Sequence, residues 1–229
     1  MKTIGLIGGI SWHSTSAYYS LINNLVNQRM GGHHAAKIIL HSVNYHDFKQ
    51  LQILNDWKRI GTMLSEIAVR LEYSGADCLL MCCNTAHIVA EDIRKKIRIP
   101  FLHIADETAR EILKFNLNKV GLLGTKFTMG ASFFFDALNQ ADITTCLPDE
   151  DDQNILHNAI LNELSKGILT VESKVTFQRV IEKMKTQEVE AIIFGCTEIG
   201  LVIHQSDCVL PIFDTTLIHS KAAVDFALN

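Results

Sequence analysis

Six cysteines are spread through this chain of 229 residues. Two of them, Cys83 and Cys196, stand at matching places in two halves that read as copies of each other. Each ends an apolar run, Cys78-Leu79-Leu80-Met81-Cys82 in the first half and Ala191-Ile192-Ile193-Phe194-Gly195 in the second. Each is followed by polar residues, Asn84-Thr85 and Thr197-Glu198. A thiol with an ordinary pKa of about 8.5 can give or take a proton near neutrality, more readily where a helix N-terminus stabilises the thiolate. Two thiols at equivalent points of a duplicated unit suit chemistry that needs two opposed groups, such as removing a proton from one face of a carbon and delivering one to the other. The plain alternative is that both are small buried hydrophobes. That alternative suits Cys82, because adjacent strand residues point to opposite faces, and also Cys78, Cys146 and Cys208, which have no counterpart in the other half.

The elements that position the two thiols follow from the apolar pattern. Short apolar runs alternate with helix-length amphipathic segments, the signature of parallel strands covered by helices. The first copy opens with Ile4-Gly5-Leu6-Ile7-Gly8-Gly9 and the second with Val120-Gly121-Leu122-Leu123-Gly124-Thr125. In the first copy the pattern predicts helices over about 14–30, 56–74 and 86–96, strands at 37–42 and 78–81, a short strand at 100–103, and a loop or irregular helix start over 44–52. In the second it predicts strands at 119–123, 143–146, 191–194 and 209–213, and helices over about 129–140, 153–165, 171–185 and 198–203. A helix over 106–115 bridges the copies, and one over 219–228 returns to the first. The expected architecture is two pseudosymmetric Rossmann-like lobes, residues 1–99 with about 214–229 and residues 100–213, with the active site in the cleft between them at the strand ends.

The turn at Gly8-Gly9-Ile10-Ser11 lacks the GxGxxG spacing of a dinucleotide loop, and no acidic residue ends the next strand. Its N–H groups could instead hold a substrate carboxylate, and Gly124-Thr125 with Thr128 offers a comparable turn in the second lobe. Asn84, Thr85 and Thr197 can each cap a helix behind a cysteine. The ten histidines include no HExxH and no zinc-ligand spacing with cysteine, so no metal site is expected. His87 either reaches the cleft or lines its helix. With a formal net charge of −4, 48% hydrophobic and 20% charged residues, and only three prolines, the composition is globular. It offers no basic stripe for nucleic acid and no apolar run near the ~20 residues of a membrane span. No signal-peptide pattern or disulfide framework is evident, so the expected location is cytoplasmic with reduced thiols.

Taken in order, Gly8-Gly9-Ile10-Ser11-Trp12 with Ser14-Thr15, then Cys83-Asn84-Thr85-Ala86-His87, then Gly195-Cys196-Thr197-Glu198-Ile199-Gly200 resemble the aspartate/glutamate racemase family across nearly the whole chain. The resemblance implies cofactor-independent racemisation of an acidic amino acid without pyridoxal phosphate, with Cys83 and Cys196 as the acid/base pair. It further implies that Asn84, Thr85 and Thr197 hold the α-amino and α-carboxylate groups and that Ile10, Ser11 and Gln52 line the first-lobe pocket. Thr125 joins them through the second-lobe turn. A homodimer is common in the family resembled. One departure concerns a second-lobe helix lysine that some aspartate racemases use for the side-chain carboxylate; here Lys166 is displaced from it by one residue, about 100° on a helix. The first cysteine, a threonine in some members, is kept as Cys83.

Inverting an α-carbon demands two groups, one thiolate and one thiol, with donors to stabilise a carbanionic transition state and water excluded. Two other readings compete with the racemase. One is a maleate isomerase- or decarboxylase-like enzyme of the same fold, although a decarboxylase needs only one thiol. The other is a non-catalytic module that binds small dicarboxylates.

Overall fold

The computed structural model describes all residues 1–229 and divides into two compact units, Met1–Ile104 with Thr216–Asn229, and Ala105–Thr215. In chain order the first unit begins with β1 (Thr3–Gly8), α1 (Trp12–Met30), β2 (Lys37–Ser42), α2 (Tyr45–Ile53), α3 (Trp57–Tyr73) and β3 (Cys78–Met81). A single 3-10 turn, Thr85–Val89, and α4 (Ala90–Arg94) follow. The next elements are α5 (Ile104–Leu113), β4 (Lys119–Gly124), α6 (Lys126–Gly130), α7 (Ser132–Asn139), β5 (Thr144–Cys146), α8 (Glu150–Asn162), α9 (Val171–Lys185), β6 (Ala191–Gly195) and β7 (Ile212–Asp214). The closing helix, α10 (Thr215–Leu228), belongs to the first unit apart from its first residue.

Both sheets are wholly parallel, ordered β2-β1-β3 in the first unit and β5-β4-β6-β7 in the second. The opening strand of each copy lies inside its sheet, with the strand that leads to Cys83 or Cys196 beside it. Such strands are covered on both faces, so they carry continuous apolar runs rather than alternation; every residue of β3 and β6 is buried.

In the first unit the faces sort by period two. Ile7, Leu79 and Met81 pack with Phe48 of α2 and Ile60, Leu64, Ile67 and Leu71 of α3. Ile4, Leu6, Cys78, Leu80 and Cys82 pack on the other face with Tyr18, Ile22 and Val26 of α1 and Ala223, Val224 and Ala227 of α10. Burying each such large side chain stabilises the fold by about 1.5–3 kcal/mol relative to leaving it exposed. In the second unit Leu123, Ile192 and Phe194 pack against Leu156 and Ile160 of α8 and Phe177, Val180, Ile181 and Met184 of α9.

Several local expectations are corrected. The stretch expected as a loop or irregular helix start over 44–52 is the regular helix α2, Tyr45–Ile53, capped by Asn44, whose side chain accepts from His46 N–H. The expected helix over 129–140 is two helices, because Ala131 between them is extended (ψ 143°). Residues 100–103 make only one bridge, Phe101 to Leu79. The expected strand at 209–213 pairs only over Ile212–Asp214, Pro211 having no N–H to offer a ladder. Expected helices at both cysteines shrink to 3-10 turns, Thr85–Val89 (with the short α4 behind it) and Ile199–Leu201.

Gly5 on β1 lies where a Cβ would come within 2.3 Å of Leu79 Cδ2 and 2.9 Å of Ala76 Cβ. Gly5→Ala is therefore expected to destabilise by about 1–3 kcal/mol through overpacking. Urea unfolding should show a lower midpoint at unchanged slope, and an unchanged midpoint would contradict this packing.

Candidate active site

The candidate residues of the first unit all follow the C-terminal ends of its parallel strands, the end at which open α/β sheets hold ligands. β1 runs beside β3 with Ile7 opposite Met81, and Cys82 N–H continues the ladder to Ile7 O at 2.9 Å. The pleat then separates the two adjacent cysteines. Cys82 is fully buried in the α1/α10 core, whereas Cys83 is part-buried against the α2/α3 core that includes Ile10. Burial pushes the Cys82 thiol up, and it pushes Cys78 up to about 12, with Asp77 adding to that shift. Both are held as protonated, inert thiols.

Ser14 Oγ donates to Cys82 O, and His87 Nδ1 lies 2.9 Å from Cys83 O. Ser11 caps α1 by accepting from Ser14 N–H, and Ile10 and Ser11 are both buried. In the turn before them one N–H is already engaged. Gly9 N–H donates to Thr15 Oγ1 at 2.7 Å, so this donor already has an internal partner. Gly9 also has φ 91°, and a Cβ there would meet Val43 O at 2.1 Å, so glycine is required. On α2, Gln52 is buried and its Oε1 accepts from Lys49 Nζ at 3.1 Å; burial lowers the Lys49 pKa. Asn84 and Thr85 are buried. Asn84 makes no side-chain cap bond, and the segment it opens is a 3-10 turn, so the expected α-helix N-terminus behind Cys83 is not formed.

In the second unit Gly124 and Gly195 are opposite each other in the β4–β6 register, which sets Thr125 and Cys196 next to one another beyond the sheet's end. A Cβ on Gly195 would lie 3.0 Å from Leu123 O and one on Gly124 3.1 Å from Gly195 O, so a side chain at either position would crowd the main chain where the two strands end. Cys196 is 9% exposed, and its Sγ lies 3.0 Å from Glu198 Oε2, an oxygen that Thr197 Oγ1 also donates to. Thr197 therefore serves the carboxylate, and the short turn beyond it carries no side-chain cap bond. Thr125 instead caps α6, accepting from Thr128 N–H at 3.2 Å. Lys166 is exposed on a 3-10 turn, Leu164–Lys166, that ends at the left-handed Gly167 (φ 75°) rather than lying along a helix.

The residue that sequence reasoning missed is Glu198. Alignment of the two copies carries the signal: the position two beyond the cysteine is Thr85 in one and Glu198 in the other, and the glutamate is 6% exposed. A carboxylate so buried needs donors, and the cysteine thiol and Thr197 hydroxyl supply them.

Comparison with known proteins agrees with this architecture. The family model for Asp/Glu/hydantoin racemases matches residues 7–223, and the chain belongs to that family. It is an amino-acid racemase, an isomerase. Among solved structures, a Yersinia pestis protein assigned to the Asp/Glu racemases is 45% identical, with complete coverage of both chains and a TM-score of 0.93. An aspartate racemase homologue from Pyrococcus horikoshii OT3 is 31% identical, again over all of both chains, with a TM-score of 0.88. The broad specificity amino-acid racemase RacX of Bacillus subtilis (strain 168) is 27% identical over 157 residues, 69% of this chain and 67% of RacX.

Two buried histidines near Cys83 give a pH signature. Burial, opposed by a bond to Leu102 O and aided by His103, lowers the His219 pKa to about 3 from 6.5. Burial and then His103 and His219 lower that of His87 well below 6.5. Between about pH 6.5 and 3 the unfolded chain binds a proton that folded His219 does not, so stability falls as pH falls, by about 1.4 kcal/mol per pH unit for this group. His219→Gln should lose less stability than the parent between pH 6.5 and 4.5 in urea titrations. An equal loss would contradict neutral burial.

Proposed function

We propose that this racemase inverts the α-carbon of an acidic amino acid, aspartate first and glutamate second, by a two-base mechanism with Cys83 and Cys196 and without pyridoxal phosphate or metal. The observation that carries this reading is the repeated placement of a thiol directly beyond the strand beside each copy's opening strand, with a buried carboxylate bonded to one of them. One thiolate takes the α-proton as the opposite thiol delivers its own to the other face, so each turnover exchanges the roles of the two cysteines.

The bond from Cys196 Sγ–H to Glu198 gives the roles a resting assignment. In that bond Cys196 is the donor, a thiol that already carries the proton to be delivered, so it takes the resting role of acid. Cys83 then starts as the base. Donors from Asn84, Thr85, Thr197, Thr125 and Ser11 hold the α-amino and α-carboxylate groups, and Ile10 and Gln52 line the pocket. Hydrogen bonds to the carboxylate stabilise the charge that develops on it as the proton leaves. The proposal includes a homodimer in the cytoplasm; no helix of the protein is long and apolar enough to cross a membrane.

A second reading is wider amino-acid specificity. It is favoured by the similarity to RacX and by the exposure of Lys166, which is not on a regular helix where it could receive a side-chain carboxylate. Racemisation of a panel of D- and L-amino acids decides between the two.

Cys83→Ala and Cys196→Ala should each lower the racemisation rate by at least about a hundredfold, the range for losing a positioned acid or base, with circular dichroism unchanged. Glu198→Gln should lower kcat more than it raises KM. Near-normal activity in either cysteine variant removes that thiol from the mechanism. Dialysis against a chelator should leave the rate unchanged, and its loss with recovery on adding zinc would contradict the metal-free proposal.

A further inference from the structure

The β1–β3 ladder ends one residue beyond β3, with Cys82 N–H on Ile7 O. The carbonyl of Cys83 therefore lies past the sheet, where a main-chain acceptor needs another partner. That partner is the imidazole of His87, four residues on, in the 3-10 turn Thr85–Val89. His87 is 1% exposed, and its second nitrogen, Nε2, is 3.3 Å from Ile104 N.

These two partners decide the tautomer. A carbonyl only accepts and an amide only donates, so Nδ1 must carry the hydrogen toward Cys83 O and Nε2 must present its lone pair to Ile104 N–H. A charged imidazolium would set N–H against N–H at Ile104. His219 of α10 is the mirror case. Its Nε2 lies 2.8 Å from Leu102 O and therefore donates, while its Nδ1, 2.9 Å from Tyr18 Oη, accepts the phenol hydrogen. Two neutral histidines in opposite tautomers thus grip the same short segment, one by Leu102 O and one by Ile104 N–H. That segment is where the chain leaves the first unit, and His219 lies just past the point where it re-enters at Thr216. His103 packs edge-on to His87 with ring centres 4.7 Å apart, and the His87 and His219 rings are 5.7 Å apart.

We propose that His87, locked as the neutral Nδ1–H tautomer, is a positioning residue for the reaction, holding the Cys83 main chain against the Leu102–Ile104 segment so that the thiol keeps one placement. The inference rests on Cys83 being an acid/base, as proposed above. His87 acts through Cys83 and touches no reacting atom. It is a device of one copy only, because the position four beyond Cys196 is Gly200. Both ring nitrogens of His87 face main-chain partners, Cys83 O and Ile104 N–H.

Two substitutions separate positioning from packing. The amide of Asn reaches the place of Nδ1, so His87→Asn keeps a donor for Cys83 O. That of Gln reaches the place of Nε2, so His87→Gln keeps an acceptor for Ile104 N–H and loses the Cys83 bond. Both lose the ring and should show similar drops in Tm. We expect kcat to fall about tenfold or more in His87→Gln, with KM within about twofold, and to stay within about threefold of the parent in His87→Asn, the pattern of lost transition-state placement rather than lost binding. Nitrogen NMR of the parent protein should show Nε2 of His87 and Nδ1 of His219 as the unprotonated nitrogens from pH 5 to 8. The titratable groups facing this pair are His103 and Tyr18. Equal kcat in the two variants, while Cys83→Ala is inactive, overturns the inference alone. Activity retained by Cys83→Ala overturns the two-cysteine reading beneath it. If neither His87 variant folds, the NMR of the parent decides, and the opposite tautomer of His87 overturns the proposal.

Discussion

Side chains alternate across a β-strand, and at the end of β3 that alternation separates two thiols one bond apart in sequence into different chemical environments. Cys82 continues the row of Cys78 and Leu80 into the core beneath α1 and α10, where burial holds it protonated. Cys83 continues the row of Leu79 and Met81, and because the strand has ended it is only part-buried. A one-residue slip of β3 against β1 would exchange the two. The register is held by Gly5, whose missing side chain admits Leu79 and Ala76, and by the ladder running on to Cys82 N–H.

The second copy solves the same placement problem differently. β6 ends in Gly195 opposite Gly124, and a Cβ at either position would sit tightly, at 3.0 to 3.1 Å, against main-chain oxygen, so two bare backbones meet where the sheet stops. Cys196 follows at once and faces Glu198. The two cysteines are thus equivalent in topology and unlike in surroundings, a main-chain clamp from His87 at one and a carboxylate at the other. Two-base racemisation tolerates such asymmetry, because in each direction one thiol has to begin as acid and the other as base.

Much of this was legible from residues alone. β1, β3, β4 and β6 are apolar runs, and the duplicated cysteines mark the candidate site in the sequence. What escaped was decided by local hydrogen bonding that has no periodic signature. Residues 44–52 read as a loop or irregular helix start, yet Asn44 caps Tyr45–Ile53 into α2 with Phe48 as its inward anchor. The stretch after Cys83 reads as helix, but His87 N–H bonds to Asn84 O three residues back, which makes a 3-10 turn. Glu198 carries no periodic signal, and only the position of the Cys196 thiol two residues before it shows what it faces.

The claim at the centre is that two different groups move the proton, one on each face of Cα. Early in the reaction of the unmodified protein with L-aspartate in heavy water, before appreciable conversion, mass spectrometry of the separated enantiomers tests it most directly. Two bases predict that the newly formed D-aspartate carries one deuterium at Cα in nearly every molecule, while the unreacted L-aspartate keeps its protium. D-aspartate that retains the original proton would contradict the account.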